Sequence, residues 1–192
     1  DSTASAMANS SSSRRALVVQ HNLSPFGNKL IQSGYADADQ MQQALVESRK
    51  SGRTLTEVLE SITGKSLPPD LLRQYKKQQL FELKILYGVE SIDPEISEIP
   101  TNEVGTLINS LIPEDICRRY RLIPLSRYDD ADPPSVLVAM VNPDDLAAQD
   151  DLNRILRPQG LALKRMVITP EDYQRIISLY LDEKVEQEKQ QE

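Results

Sequence analysis

Tryptophan is absent from this chain, and cysteine and histidine occur once each, as Cys117 and His21. A single thiol cannot close an internal disulfide, and one Cys with one His cannot furnish a four-ligand Cys/His zinc site, so neither kind of staple is available. The missing disulfide framework fits a cytosolic compartment. Net positive charge is lacking too: the formal charge is −7 and the isoelectric point is near 4.9. That balance argues against broad binding to nucleic acid or to an anionic membrane, both of which reward a basic face. An anionic ligand would need a local positive site. No apolar run approaches the ~20 residues that span a bilayer. No charged leader precedes an apolar core, so neither membrane insertion nor export is expected.

What is present is a globular composition, 39% hydrophobic over 192 residues, enough for one large domain or two small ones. The chain opens on Asp1 and closes on the charged run DEKVEQEKQQE, which suggests a piece of something longer. Residues 1–15 are rich in Ser and Ala without an apolar period, and read as a disordered segment. Residues 16–88 read as a small helical bundle. Asp37 with Gln40 forms a capping-box pattern ahead of Met41, Ala44 and Leu45, predicting a helix over 38–50. Thr54 with Glu57 repeats the pattern ahead of Leu55, Val58, Leu59 and Ile62, with Gly64 as the stop. Pro68, Pro69 and Asp70 then start a long helix with Leu72, Tyr75, Leu83 and Leu86 as its stripe, ending at Gly88.

Residues 89–109 are read as a connector, since Pro94 and Pro100 interrupt regular elements. Residues 110–181 read as a compact α+β unit with a three-stranded sheet. A Pro113-started helix leads to strands over 122–128 and 135–141, an antiparallel hairpin joined by DDADPP. Asn142, Pro143 and Asp144 open a helix carrying Leu146, Leu152, Ile155 and Leu156, before a strand over 161–168. A last helix carries Tyr173, Ile176, Ile177, Tyr180 and Leu181, and residues 182–192 extend it or form a linker. The fold class is therefore α+β, a helical bundle followed by the sheet-containing unit.

Candidate chemistry is sparse. Gly64-Lys65-Ser66 resembles the end of a phosphate loop, yet Leu59 stands where the earlier Gly belongs, so a helix-ending turn is the better reading. The pairs Asp129/Asp130, Asp144/Asp145 and Asp150/Asp151 suit a loop, a first helical turn and a solvated face, without EF-hand spacing. His21 and Ser24 have no acid placed to orient them. Arg118, Arg119 and Arg121 around Tyr120 fit a solvated or salt-bridged helix end. No catalytic and no metal-ligating residue is assigned. An internal repeat has more content: a loop from Pro25 to Gly34 leads into the helix with Met41 and Leu45, and Arg53, Leu55, Leu59, Leu71, Tyr75 and Gln78 echo it. Two such units side by side suit a two-fold symmetric ligand, the alternative being that any two amphipathic helices look alike at this level.

Leu111-Ile112-Pro113, Cys117-Arg118-Arg119-Tyr120, Ile123-Pro124-Leu125, Val138-Ala139-Met140 and Asn142-Pro143-Asp144-Asp145 together resemble the N-terminal domain of type IV pilus extension ATPases and type II secretion ATPases. The first half is similar to the MshEN module, in which two RLG-initiated blocks bind cyclic di-GMP. The resemblance implies a candidate set drawn from both blocks. Phe26, Gly27, Leu30, Ile31, Gly34, Met41, Leu45 and Ser48 come from the first, with Pro25 in place of the Arg, Phe26 of the Leu and Ser48 of the closing Gln. Leu55, Leu59, Leu71 and Gln78 come from the second, where Thr56 stands for the Gly, and Arg49 and Arg53 keep the neighbourhood positive. It further implies a non-catalytic regulatory and docking domain, with no covalent cofactor and cyclic di-GMP as ligand. The implied partners are an ATPase motor C-terminal in the same chain, the cytoplasmic side of the inner-membrane pilus platform, and other copies in a homohexamer. The expected location is cytoplasmic, peripheral to the inner membrane. The alternative is a docking module for the pilus or type II secretion platform that binds no nucleotide. An enzyme acting alone is the remotest reading.

Overall fold

The computed structural model describes residues 25–191. His21, Ser24 and the segment 1–15 lie outside the described residues. The chain divides into two compact units, Asp1–Gln78 and Gln79–Glu192.

The first unit contains α1 (Pro25–Gln32), α2 (Ala38–Ser51), α3 (Leu55–Thr63) and the start of α4 (Pro69–Tyr87). The Asp37 carboxylate accepts the Gln40 N–H at 2.8 Å while the Gln40 side chain accepts the Asp37 N–H at 3.0 Å, so the capping box is formed in both directions. Thr54 caps α3 by accepting from the Glu57 N–H at 3.2 Å. The segment read as a loop at Pro25 is instead a helix. Proline is pre-set for a first helical position, and Phe26 and Leu30, four residues apart, bury 97% and all of their surface on the core, which outweighs the ~1 kcal/mol propensity cost of Gly27. Gly34 and Gly64 follow α1 and α3 at φ of +79° and +68°, left-handed values that disfavour any side chain. The core joins Phe26, Leu30, Met41, Ala44, Val58 and Leu59, with Leu55, Leu71 and Tyr75 packed against it.

The predicted stripe on α4 is corrected: Leu72 and Leu86 are exposed, and Leu80 is its buried residue. This helix passes from the first unit to the second after Gln78, so no single face is buried along its whole length.

The second unit continues with α5 (Thr101–Ser110), α6 (Glu114–Tyr120), β1 (Leu122–Tyr128), β2 (Ser135–Met140), α7 (Leu146–Leu156), β3 (Ala162–Val167) and α8 (Pro170–Gln191). The sheet has the order β1-β2-β3; β1 and β2 pair antiparallel from Leu122↔Met140, and β2 and β3 pair parallel from Ser135↔Ala162. The hairpin and three strands expected from the sequence are therefore present. A helix inside residues 89–109 was not expected. Pro100 precedes α5 as its N-cap rather than breaking it, because a proline N-terminal to a helix deprives the ladder of nothing. Val104, Leu107 and Ile108 of α5 are buried in the same core as Ile123, Met140, Leu152 and Ile177. Leu146 is also corrected: it is exposed, because Asp145 caps α7 by accepting the Ala148 N–H at 3.2 Å, and Ala148, Leu152 and Leu156 form the buried face.

Thr169 is buried at the head of α8 and its hydroxyl accepts the Asp172 N–H at 3.1 Å. Losing such a cap costs about 1 kcal/mol, so Thr169→Ala is expected to lower the denaturation midpoint of the second unit and Thr169→Ser to retain it. Equal midpoints for the two variants in urea would contradict this account of the helix start.

Candidate ligand-binding site

The two sequence blocks fold alike. Each is a helix, a turn through a left-handed glycine, and a second, longer helix: α1, Gly34 and α2 in the first; α3, Gly64 and α4 in the second. The blocks then clasp one another reciprocally. The first helix of block one meets the second helix of block two. The Phe26 N–H donates to Gln78 Oε1 at 3.2 Å, Lys29 Nζ donates to Gln74 Oε1 at 3.0 Å, and the Phe26 and Tyr75 rings stack tilted at 4.9 Å. In the opposite sense, α2 packs on α3, and Ser48 Oγ donates to the Arg53 carbonyl at 2.7 Å. The closing residue of each block thus bonds the backbone at the opening of the other.

Phe26, Gly27, Leu30, Met41 and Leu59, chosen from the sequence as site residues, are buried and hold the helices together. Ile31, Leu45, Ser48, Leu55, Leu71 and Gln78 are half-buried, while Gly34, Arg49 and Arg53 are exposed. Arg53 donates to Ser61 Oγ at 3.0 Å and lies 4.0 Å from Glu57. Arg49 and Lys50 fall in the last turn of α2, where cations suit the helix dipole.

The cleft of this unit, about 340 Å³, lies where the two glycine turns meet. Ile31 and Gly34 line it, together with Tyr35, Asp37, Gln40, Thr63 and Lys65, none of which was among the candidate ligand residues. Tyr35 Oη donates to the Lys65 carbonyl at 2.7 Å and accepts from Thr63 Oγ1 at 3.2 Å, tying one turn to the other. The repeat itself was the signal that could have found them, since these residues follow the last apolar position of each first helix. The cleft offers a carboxylate, an amide and an ammonium beside an aliphatic wall, a set that can hold a polar ring or a phosphate.

Charge is divided unevenly. The first unit has ten Lys and Arg against seven Asp and Glu, a net of +3, and the second twelve against twenty-two, a net of −10. An anionic ligand is therefore favoured by the first unit and repelled by the second.

In the second unit Arg119, of the arginine cluster, is salt-bridged. Arg119 lies 3.8 Å from Asp115 and 3.9 Å from Asp151, and Arg154 lies 3.3 Å from Asp151. The Tyr120 hydroxyl bonds to Asp151, which pushes its titration above the usual phenol range. Burial does the same to Tyr173, whose hydroxyl donates to the Cys117 carbonyl. Among the described residues no three His, Cys, Asp or Glu side chains gather as a metal site, and no helix is long and apolar enough to cross a membrane.

A family model of the MshEN domain matches residues 87–187. The matched stretch lies wholly within the second unit, and the candidate residues from Phe26 to Gln78 precede it. A solved structure described as MshE with cdg is 23% identical, with a TM-score of 0.43, over 82% of this chain and 99% of that one. No curated protein matches the chain.

Proposed function

Because the chain belongs to the MshEN domain family, we propose that it is the non-catalytic regulatory and docking domain of a type IV pilus assembly ATPase, and that its first unit is a receptor for cyclic di-GMP. The observation that carries this reading is the reciprocal clasp of two like blocks, Phe26 with Gln78 and Ser48 with Arg53. Cyclic di-GMP has two equivalent halves and two negative charges; a pseudo-two-fold unit of net +3 can meet each half with equivalent surface. In this reading the buried residues Phe26, Gly27, Leu30, Met41 and Leu59 set the helix spacing. The half-buried Ile31, Leu45, Leu55 and Leu71 flank the guanines, and Arg49 and Arg53 meet phosphate. Ser48 and Gln78 hold the two openings in place.

The ligand would act by binding one arrangement of the two blocks better than another, and that difference in affinity is the energy available for regulation. The receiving elements are an ATPase motor later in the same polypeptide and the cytoplasmic face of the inner-membrane pilus platform, in a homohexameric, cytoplasmic assembly at the membrane. Isothermal titration calorimetry of this chain with cyclic di-GMP is expected to give saturable heat, and Arg49→Glu to weaken it about tenfold, ~1.4 kcal/mol. Absence of heat at high micromolar ligand would remove the messenger.

The second reading, a module that docks on the pilus or secretion platform without nucleotide, is favoured by Pro25 and Thr56 standing where the resembled blocks carry Arg and Gly. Platform capture unchanged by Arg49→Glu and Arg53→Glu, with no nucleotide heat, selects it.

A further inference from the structure

A groove of about 500 Å³ opens in the second unit between residues 93–99 and α8, far in sequence from the candidate ligand residues. Its floor is Ile99 and Ile176; its walls are Ile96, 73% exposed, and Leu179, 50% exposed. Two large aliphatic side chains are thus left in water on either side of one depression, apolar surface that a partner could cover. The first wall is held in place. The Asp93 carboxylate accepts the Glu95 N–H at 3.0 Å, and its carbonyl accepts the Ile96 and Ser97 N–H groups at 3.1 and 2.9 Å, so Ile96 is presented by a hydrogen-bonded turn anchored on a buried residue. The groove is thus shaped before anything fills it.

Its rim is predominantly acidic. Glu95 and Glu98 border it, and the bordering cation, Arg175, lies 3.1 Å from the Asp172 carboxylate. The unit around it has a net charge of −10. Nucleotides, nucleic acid and anionic lipid are repelled from such a surface, and so is a second copy of the same unit.

We propose that this groove is a docking site for a basic amphipathic helix of a partner protein, with leucine-sized side chains at i, i+3 and i+4 seated between Ile96 and Leu179 and lysines or arginines facing Glu98. A helix laid into an apolar groove with charged edges is a common recognition mode, in which the apolar anchors give affinity and the rim gives orientation. This site is independent of the cyclic di-GMP reading.

The test uses the whole chain and a fluorescently labelled probe, a roughly 18-residue Leu/Lys amphipathic helix, with the same peptide carrying Glu for Lys as control. The Leu/Lys probe is expected to bind one-to-one by anisotropy and the Leu/Glu peptide not to bind. Ile96→Asp and Leu179→Asp, both at exposed positions outside the buried core, should each weaken the probe tenfold or more, and Glu98→Lys should weaken it and flatten its salt dependence. Cyclic di-GMP titrations of these variants should match those of the parent chain. Probe binding that ignores Ile96→Asp and Leu179→Asp would show attraction to charge alone and overturn the site. Self-association of the parent chain abolished by Ile96→Asp would make a second copy the occupant and overturn it equally.

Discussion

Cutting Leu59 back to alanine is expected to unfold the first unit while the second keeps its protection against hydrogen exchange. Leu59 is wholly buried at the middle of α3, in a core of nine buried hydrophobic residues, against twenty-four in the second unit's core. Removing a buried leucine's outer carbons costs about 2–5 kcal/mol, the spread reflecting how far the surroundings can collapse. A core this small leaves little reserve, since small domains bury a lower fraction of their surface. Amides of α1, α2 and α3 should then exchange rapidly in the variant, while those of β1, β2 and β3 stay slow. Leu152→Ala, in the larger core, should give the opposite pattern. Uniform acceleration in both units for either variant would mean that they unfold as one.

Cys117 should resist thiol reagents by about a thousandfold until the second unit unfolds. The thiol is fully buried, and burial first, then the neighbouring Asp115 and Glu114 carboxylates, pushes its pKa from 9.0 up to about 12. At pH 8 the reactive thiolate is about three orders of magnitude scarcer than in an ordinary cysteine, before access is counted. The same shift dictates an alkaline instability. Below pH 9 the thiol is protonated whether the chain is folded or not, and its contribution is fully present. Between pH 9 and about 12 the unfolded chain releases the proton and the folded one keeps it, so stability falls as pH rises, by roughly 4 kcal/mol over the window. Cys117→Ala should flatten that fall. The contributions of Tyr173 and Tyr180, both also held above their ordinary values, should remain. Labelling of the native chain as fast as that of the urea-unfolded chain would contradict the burial.

Legibility followed the strength of local signals. The capping box at Asp37, the glycine stop at Gly64 and the turn-rich DDADPP each fix the backbone within a few residues, and the helices and hairpin they predict are present. Pro25 and Pro100 were harder, because proline punctuates equally before a helix and inside a loop, and only the packing of Phe26 and Val104 decides between them. Leu72, Leu86 and Leu146 matched a helical period yet remain in water, since periodicity names a face without saying that anything covers it. At the candidate cleft Ile31 and Gly34 were named from the sequence, while its polar lining, Tyr35, Asp37, Gln40, Thr63 and Lys65, was not. The bond from Phe26 to Gln78 joins positions 52 residues apart, and no local rule anticipates such a closure; that from Ser48 to Arg53 spans only 5.

The closing helix α8 runs on to Gln191, but its last buried residue is Tyr180. Leu181 still packs against the core and Lys184 lies 3.5 Å from Glu114, after which the exposed residues 185–191 continue for about 10 Å, a length at which a solitary helix in water is marginal. Within this stretch order is inherited turn by turn from the anchored portion, so it acts as a thermometer of its own root: loosening at Tyr180 or Ile177 would be read out as melting beyond Lys184, well before the sheet had registered any change.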